Sequence, residues 1–250
     1  MIDLHSHILP GLDDGSRTVD QARALARRAA ADGVTAIAAT PHVRRDYPTR
    51  PGEMEQGVAR LREDFVEQGI GVEVLHGGEL DLGMLATLDD DALRRFTLAQ
   101  SGRYLLLEFP YTGWPAGLEE TVYALGLRGF AAVIAHPERN RTVQAQPGRL
   151  AEAVRLGALV QLTAASLDGR VGRSSRKAAT RLLELGLAHV LASDAHTPEI
   201  REAGLSAARE AVGDEAVARF LTIEAPSAIV VGEAVPAPPR KARRLRYFLF

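Results

Sequence analysis

The chain has 250 residues, 46% of them hydrophobic and 25% charged, the composition of a folded globular protein rather than a disordered one. Its 30 basic and 32 acidic residues leave a net charge of −2, which offers no electrostatic case for a nucleic-acid partner. Cysteine is absent, excluding disulfides, thiolate metal sites and a cysteine nucleophile.

Short β-rich runs alternate with longer helical stretches. Ile2–His5 is the first expected strand. A helix follows over Thr18–Asp32, where Ala22, Leu25, Ala26, Ala29 and Ala30 recur at three- and four-residue steps, and Asp32-Gly33 supplies its stop. Val34–Thr40, Val72–His76, Tyr104–Phe109, Ala131–Ala135, Ala158–Leu162 and His189–Ser193 are the remaining expected strands. Alanine-, leucine- and arginine-rich segments separate most of them. Seven such units predict a parallel sheet covered by helices, more simply a closed or nearly closed β/α barrel over residues 1–235 than two separate domains. An open doubly wound sheet is the alternative. No glycine-rich phosphate loop follows any strand, so nucleotide binding has no support.

No apolar run reaches the roughly 20 residues of a membrane-spanning helix. The first residues lack the basic start and apolar stretch of a signal peptide, and a cytoplasmic location is expected. Residues 236–250 form a tail of different character. Pro236-Ala237-Pro238-Pro239 reads as a stiff linker into the basic stretch Arg240–Arg246 and the aromatic end Tyr247–Phe250. The plain reading is a segment that packs on the barrel or frays from it. The sharper one is a weak contact with an anionic membrane surface or a partner.

Five of the seven histidines fall at or just beyond the C-terminal ends of expected strands, the end that holds the active site in parallel β/α folds. They are His5, His7, His42, His136 and His196. Carboxylates join them at equivalent places: Asp13, Asp14, Glu79, Glu108 and Asp194. Alternate residues of an extended segment point the same way, so His5 and His7 can face one centre. Glu108 and Asp194 each terminate an apolar run, where a bare charge is costly unless it is paired or binds a cation. Any one of these residues alone is unremarkable, but ten of them on several strand ends read as a metal cluster. His76 and His189 lie before or within strand bodies and are expected to be structural.

With the segments Met1–Gly15, Ala39–His42, Gly78-Glu79, Leu107–Phe109, Ile134–Arg139 and Ala192–His196 in this order, the chain resembles the polymerase-and-histidinol-phosphatase (PHP) superfamily. More narrowly it is similar to the bacterial capsule-type tyrosine phosphatases, which are metal-dependent and cysteine-free. The resemblance implies a distorted seven-stranded TIM-like (β/α)7 barrel of PHP type holding three divalent ions. Manganese is the first expectation, with iron and zinc also suited to mixed nitrogen and oxygen ligands. Carried over by position, His5, His7, Glu79 and Asp194 hold the first ion. Glu79 bridges to a second, completed by Glu108 and His136. Asp14, His42 and His196 hold the third, and Asp13 is the neighbour whose part is open.

The implied reaction is hydrolysis of a phosphomonoester, the phosphotyrosine on the C-terminal tail of a membrane-anchored bacterial tyrosine kinase that regulates capsular or exopolysaccharide synthesis. A dianionic phosphoryl group also calls for arginine forks, for which Arg139 and Arg201 are the candidates. Tyr47, Tyr111 and Trp114, in loops after strand ends, are candidates to stack on the phenyl ring or else to pack within their loops. Histidinol phosphate or another small phosphomonoester is the first alternative substrate. A PHP-type phosphodiesterase or nuclease is the second.

Overall fold

The computed structural model describes residues 1–197 and 204–239. All seven expected strands are present, close to their expected limits, with two short additions. The nine are β1 (Ile2–Ser6), β2 (Ala36–Ala39), β3 (His42–Val43), β4 (Glu73–Leu75), β5 (Glu79–Asp81), β6 (Tyr104–Glu108), β7 (Ala131–Ala135), β8 (Leu159–Thr163) and β9 (Val190–Ala192). Among the described residues these strands pair with one another only in parallel, in two sheets ordered β1-β2-β4 and β3-β5-β6-β7-β8-β9.

The additions arise because two barrel strands are broken and resume. Pro41 has no N–H to give to a ladder, so the strand that ends at Ala39 restarts at His42. His76-Gly77-Gly78 interrupts the next one before Glu79, and a Cβ on Gly78 would sit 2.6 Å from Phe96 Cδ1. The breaks swing β3 and β5 onto the larger sheet, where His42 and Glu79 become direct neighbours. This is the distortion of the expected seven-stranded barrel. The ring is completed by a bridge between Ser6 and Ala195, with Asp194 N–H donating to His5 O and His7 N–H to Ala195 O.

Leu4, Ala38, Leu75, Leu106, Val133 and Val190 come from six different strands yet form one buried cluster, which places them inside the ring. Ile229 joins them. Just beyond it, the carbonyls of Gly232 and Glu233 accept from Arg103 and from the Tyr104 hydroxyl at the start of β6, so the chain's later part closes the N-terminal end of the barrel. A larger apolar layer separates the strands from the helices.

The helix Val19–Ala31 shows how locally the expected pattern holds. Thr18 caps it by accepting from Gln21 N–H, Asp32 ends it, and Ala22, Leu25, Ala26 and Ala29 are buried while Ala30 faces solvent. Among the described residues no helix is long and apolar enough to cross a membrane. Residues 240–250, which carry the basic-aromatic part of the tail, lie outside the described residues, as does Arg201.

Candidate metal centre

The C-terminal ends of the strands bring nine of the sequence-selected residues together. His5 and His7 come from β1 and its extension, His42 from β3, Glu79 from β5, Glu108 from β6, His136 from the end of β7, and Asp194 and His196 from the loop after β9. Asp14 reaches in from the loop after β1. Gly15 makes that loop possible, because a Cβ there would overlap the His7 carbonyl and side chain. His136 and Asp194 both sit in the left-handed region, at φ 38° and 53°, which is strained for residues other than glycine. Strain of that kind, at two members of one cluster, is spent on aiming side chains.

Four ligand atoms face one another at the centre. His5 Nε2 and His7 Nε2 are 3.2 Å apart, and each lies 3.4 Å from Glu79 Oε2 and from Asp194 Oδ1. Four ligands about 2.0–2.1 Å from a central ion at tetrahedral angles are about 3.3–3.4 Å apart. The orienting hydrogen bonds make the case stronger. His5 Nδ1 donates to Gln161 Oε1 at 2.9 Å and His7 Nδ1 to Asp13 Oδ2 at 2.7 Å, so in the neutral rings both Nε2 lone pairs point inward. Two lone pairs and two carboxylate oxygens converging in a fully buried space repel one another unless a cation lies between them.

Glu79 links this centre to the next. Its Oε1 is 2.8 Å from His136 Nε2, and its Oε2 is 3.0 Å from His42 Nδ1. His136 groups with Glu79 and His5, whereas Glu108 groups with Glu79 and His42. Glu79 Oε2, Glu108 Oε2 and the facing His42 Nδ1 are buried and none of them makes a hydrogen bond, an arrangement that suits cation binding. At the mouth, Asp14 Oδ1 is 3.5 Å from His42 Nε2 and 3.4 Å from His196 Nε2, and His7 completes that group. The donor set is imidazole and carboxylate throughout, and the clustered groups form a multi-metal site.

The electrostatics express the same crowding. Burial alone would lower His5 and His7, but Glu79 and Asp194 raise the first and Asp13 raises the second well above the usual histidine value. Burial likewise pushes Glu79 up, yet the histidines around it, His5 foremost, hold it well below the ordinary carboxylate range. The hydrogen bond with His196 keeps Asp14 far down. Glu108 is raised, first by burial and then by Glu79.

Arg139 follows His136 on the same loop. Its Nη1 donates to Asp194 Oδ2 at 2.7 Å, and its guanidinium lies 5.4 Å from the centre of the Tyr111 ring. Tyr111 in turn lies parallel to the His136 ring at 6.0 Å. Tyr47 repeats the arrangement on the other side, parallel to His42 at 5.9 Å and beneath Arg44 at 5.1 Å. Trp114 packs against Phe109 and Arg149.

Three supporting residues escaped the sequence reading. Arg44 Nη1 donates to Glu108 Oε1 at 3.0 Å. Gln161 orients His5. Glu138, fully buried, accepts from Thr163 N–H and Ser166 Oγ and ties the His136 loop to β8, with burial raising its carboxyl. His76 and His189 lie outside the cluster, as expected.

Residues 1–230 match the model of the family described as "Capsular polysaccharide synthesis, CpsB/CapC". The chain belongs to that family. It is 36% identical over 203 residues to the tyrosine-protein phosphatase YwqE of Bacillus subtilis, covering 80% of this chain and 79% of YwqE. It is 32% identical over 198 residues to the putative tyrosine-protein phosphatase CapC of Staphylococcus aureus, covering 79% and 77%. A solved structure from work on YwqE and on CpsB of Streptococcus pneumoniae, called there "unique metal-dependent tyrosine phosphatases", superposes with a TM-score of 0.86 at 32% identity. It covers 96% of this chain and 100% of the other. The distorted PHP-type fold of this CpsB/CapC member is therefore the family's fold.

Proposed function

We propose that this CpsB/CapC protein is a metal-dependent protein-tyrosine phosphatase acting in capsule or exopolysaccharide regulation, in the cytoplasm, on the phosphotyrosine-bearing C-terminal tail of a membrane-anchored tyrosine kinase. The observation that carries the reading is the inward-facing quartet His5, His7, Glu79 and Asp194 in a chain without cysteine. It is a metal site of hydrolytic type in a family whose relatives bear that activity's name.

On this reading the cluster holds three divalent ions, manganese foremost, as the resemblance implies: the quartet for one, Glu79 with Glu108 and His136 for another, although Glu108 groups with His42 and His136 with His5, and Asp14, His42 and His196 for the third. Such ions supply Lewis acidity that makes water nucleophilic near neutral pH, together with positive charge for the phosphoryl oxygens. The chain's own contribution is orientation. Gln161 and Asp13 hold the two imidazoles of β1 in the tautomer that offers Nε2. Arg139, anchored on Asp194 by one N–H, presents its remaining donors to the phosphoryl group at the mouth. Arg201 is the proposed second arginine. Tyr47 and Tyr111 flank the cluster and offer aromatic faces to the phenyl ring of the substrate.

The test is phosphate release from a phosphotyrosine peptide, from histidinol phosphate and from a single-stranded DNA control, with manganese and then with chelator. Chelator-sensitive turnover of the peptide is expected. Preferential turnover of histidinol phosphate would move the protein to small-molecule chemistry, and cleavage of the DNA would make it a phosphodiesterase.

A further inference from the structure

The helix Arg173–Glu184 follows β8 through the short helix Ala164–Leu167, so it begins at the same end of the barrel as the metal centre. Its buried face is Ser175, Ala178, Ala179, Leu182 and Leu183. The opposite stripe, at steps of three and four residues, carries Arg173, Arg176, Lys177 and Arg181, with Glu184 last. These residues line a cleft of about 590 Å³, whose other wall is Gln144, Ala145 and Pro147. That volume is in the range of ligand clefts, roughly 300–1,000 Å³.

Nothing in helix energetics asks for this stripe. Arg173, Arg176 and Lys177 occupy the first turns, where the helix dipole disfavours cations, and they repel one another at i, i+3 and i+4. Among the described residues none of these three has an ion-pair partner, and Arg181 pairs with Glu184 at 2.9 Å. Lys177 is one of two lysines in the whole chain. The cleft thus holds a concentrated positive charge in a protein whose net charge is −2.

Its place relative to the catalytic centre is set by Gln144. The Nε2 of this wall residue donates to the carbonyls of Glu138 and Arg139 at 3.1 and 3.4 Å and to Ser175 Oγ at 3.4 Å. One wall of the cleft is therefore tied by hydrogen bonds to the loop that carries Arg139.

We propose that this cleft is a docking groove for an acidic stretch of the substrate polypeptide next to the phosphotyrosine. Asp and Glu side chains of an extended segment pair there with Arg173, Arg176 and Lys177, giving affinity and a faster encounter that the small phosphoryl site cannot supply. A concave cleft continuous with the catalytic loop favours a peptide over a flat lipid surface. The inference rests on the phosphotyrosine-peptide reading above and deepens it.

The test compares two phosphotyrosine peptides of equal length, one with Asp and Glu flanking the tyrosine and one with Ser and Gly there, alongside p-nitrophenyl phosphate, using manganese-loaded full-length protein. The wild-type enzyme is expected to favour the acidic peptide about tenfold in kcat/KM, through KM, with the advantage shrinking as salt is raised. The double variant Arg176→Glu/Lys177→Glu should erase the preference and leave p-nitrophenyl phosphate turnover unchanged. Arg176→Gln/Lys177→Gln serves if charge reversal impairs folding. Equal kcat/KM for the two peptides in the wild type, or a preference that survives in the variants, overturns the groove. Sedimentation with phosphatidylserine vesicles that the variants lose, without any peptide preference, overturns it in favour of a membrane contact. Anisotropy of labelled peptides reads the same contrast without turnover. An enzyme inert to every phosphotyrosine peptide, which overturns the functional reading, is thereby told apart from an active one indifferent to acidic flanks.

Discussion

Asp13 Oδ2 lies 2.7 Å from His7 Nδ1 and also accepts the backbone N–H of His42 at 3.0 Å. One oxygen thus holds two imidazole-bearing segments from different strands, while the adjacent Asp14 points the other way, at His42 and His196. Two neighbouring aspartates that look alike in sequence have divided the work. Asp13→Ala is expected to weaken metal binding about 10–100-fold, the usual cost of losing a partner that orients a ligand. Chelator competition measures it, and activity should return at saturating manganese. Unchanged metal affinity would mean that His7 needs no orienting carboxylate.

Arg139 spends one donor on Asp194, and on the proposed function its other donors serve the phosphoryl group. Arg139→Ala should lower kcat on a phosphotyrosine peptide by about 10²–10³-fold, the scale for losing an oriented donor to transition-state charge. Arg139→Lys should recover little, since an ammonium cannot serve Asp194 and a phosphoryl oxygen in one plane. If metal affinity collapses instead and kcat at saturating metal is normal, the arginine acts only as a brace for Asp194.

Much of this was legible in the chain itself, for a physical reason. The strands of a β/α barrel are buried on both faces, so they read as apolar runs with sharp polar ends, and the candidate ligands are those ends. β3 and β5 are too short for any periodicity, and only the proline at 41 and the glycines at 77 and 78 hint at the break. The orienting residues were harder to see. Gln161 looks like one polar residue inside a strand until folding brings it against His5, 156 positions away. Arg44 meets Glu108 across 64 positions, so which partner Glu108 takes at the end of its apolar run could not be read from its neighbours in sequence.

Gly15 has no room for a side chain, because a Cβ would run into the His7 carbonyl and Cβ. Neither neighbour is the free end of a flexible side chain, so the loop must move. Gly15→Ala is expected to cost on the order of 3 kcal/mol of stability, at the severe end for a single substitution. It should also loosen metal binding through Asp13 and Asp14. Urea unfolding of the metal-free and metal-loaded forms measures both effects. A variant as stable as the parent would show that the loop relaxes freely.

His189 is buried at the start of β9, where its Nδ1 accepts the N–H of Val160 at 3.1 Å and desolvation pushes its pKa down to about 4. The neutral ring is the one that fits. Above about pH 6.5 it is neutral in folded and unfolded chains alike, and its contribution is intact. Between that point and about pH 4 the unfolded chain takes up a proton that the folded one refuses, so stability falls as pH falls. Below about pH 4 both states are protonated and the loss levels off. By about pH 5 this one residue should cost about 2 kcal/mol relative to neutral pH. His189→Gln, which keeps an acceptor but does not titrate, should remove that part of the slope while leaving the acid loss due to carboxylates in place. The comparison needs unfolding curves of metal-free protein at several pH values, because metal release on acidification would otherwise add its own slope. Parallel curves for the two proteins would show that His189 is protonated as readily in the fold as outside it.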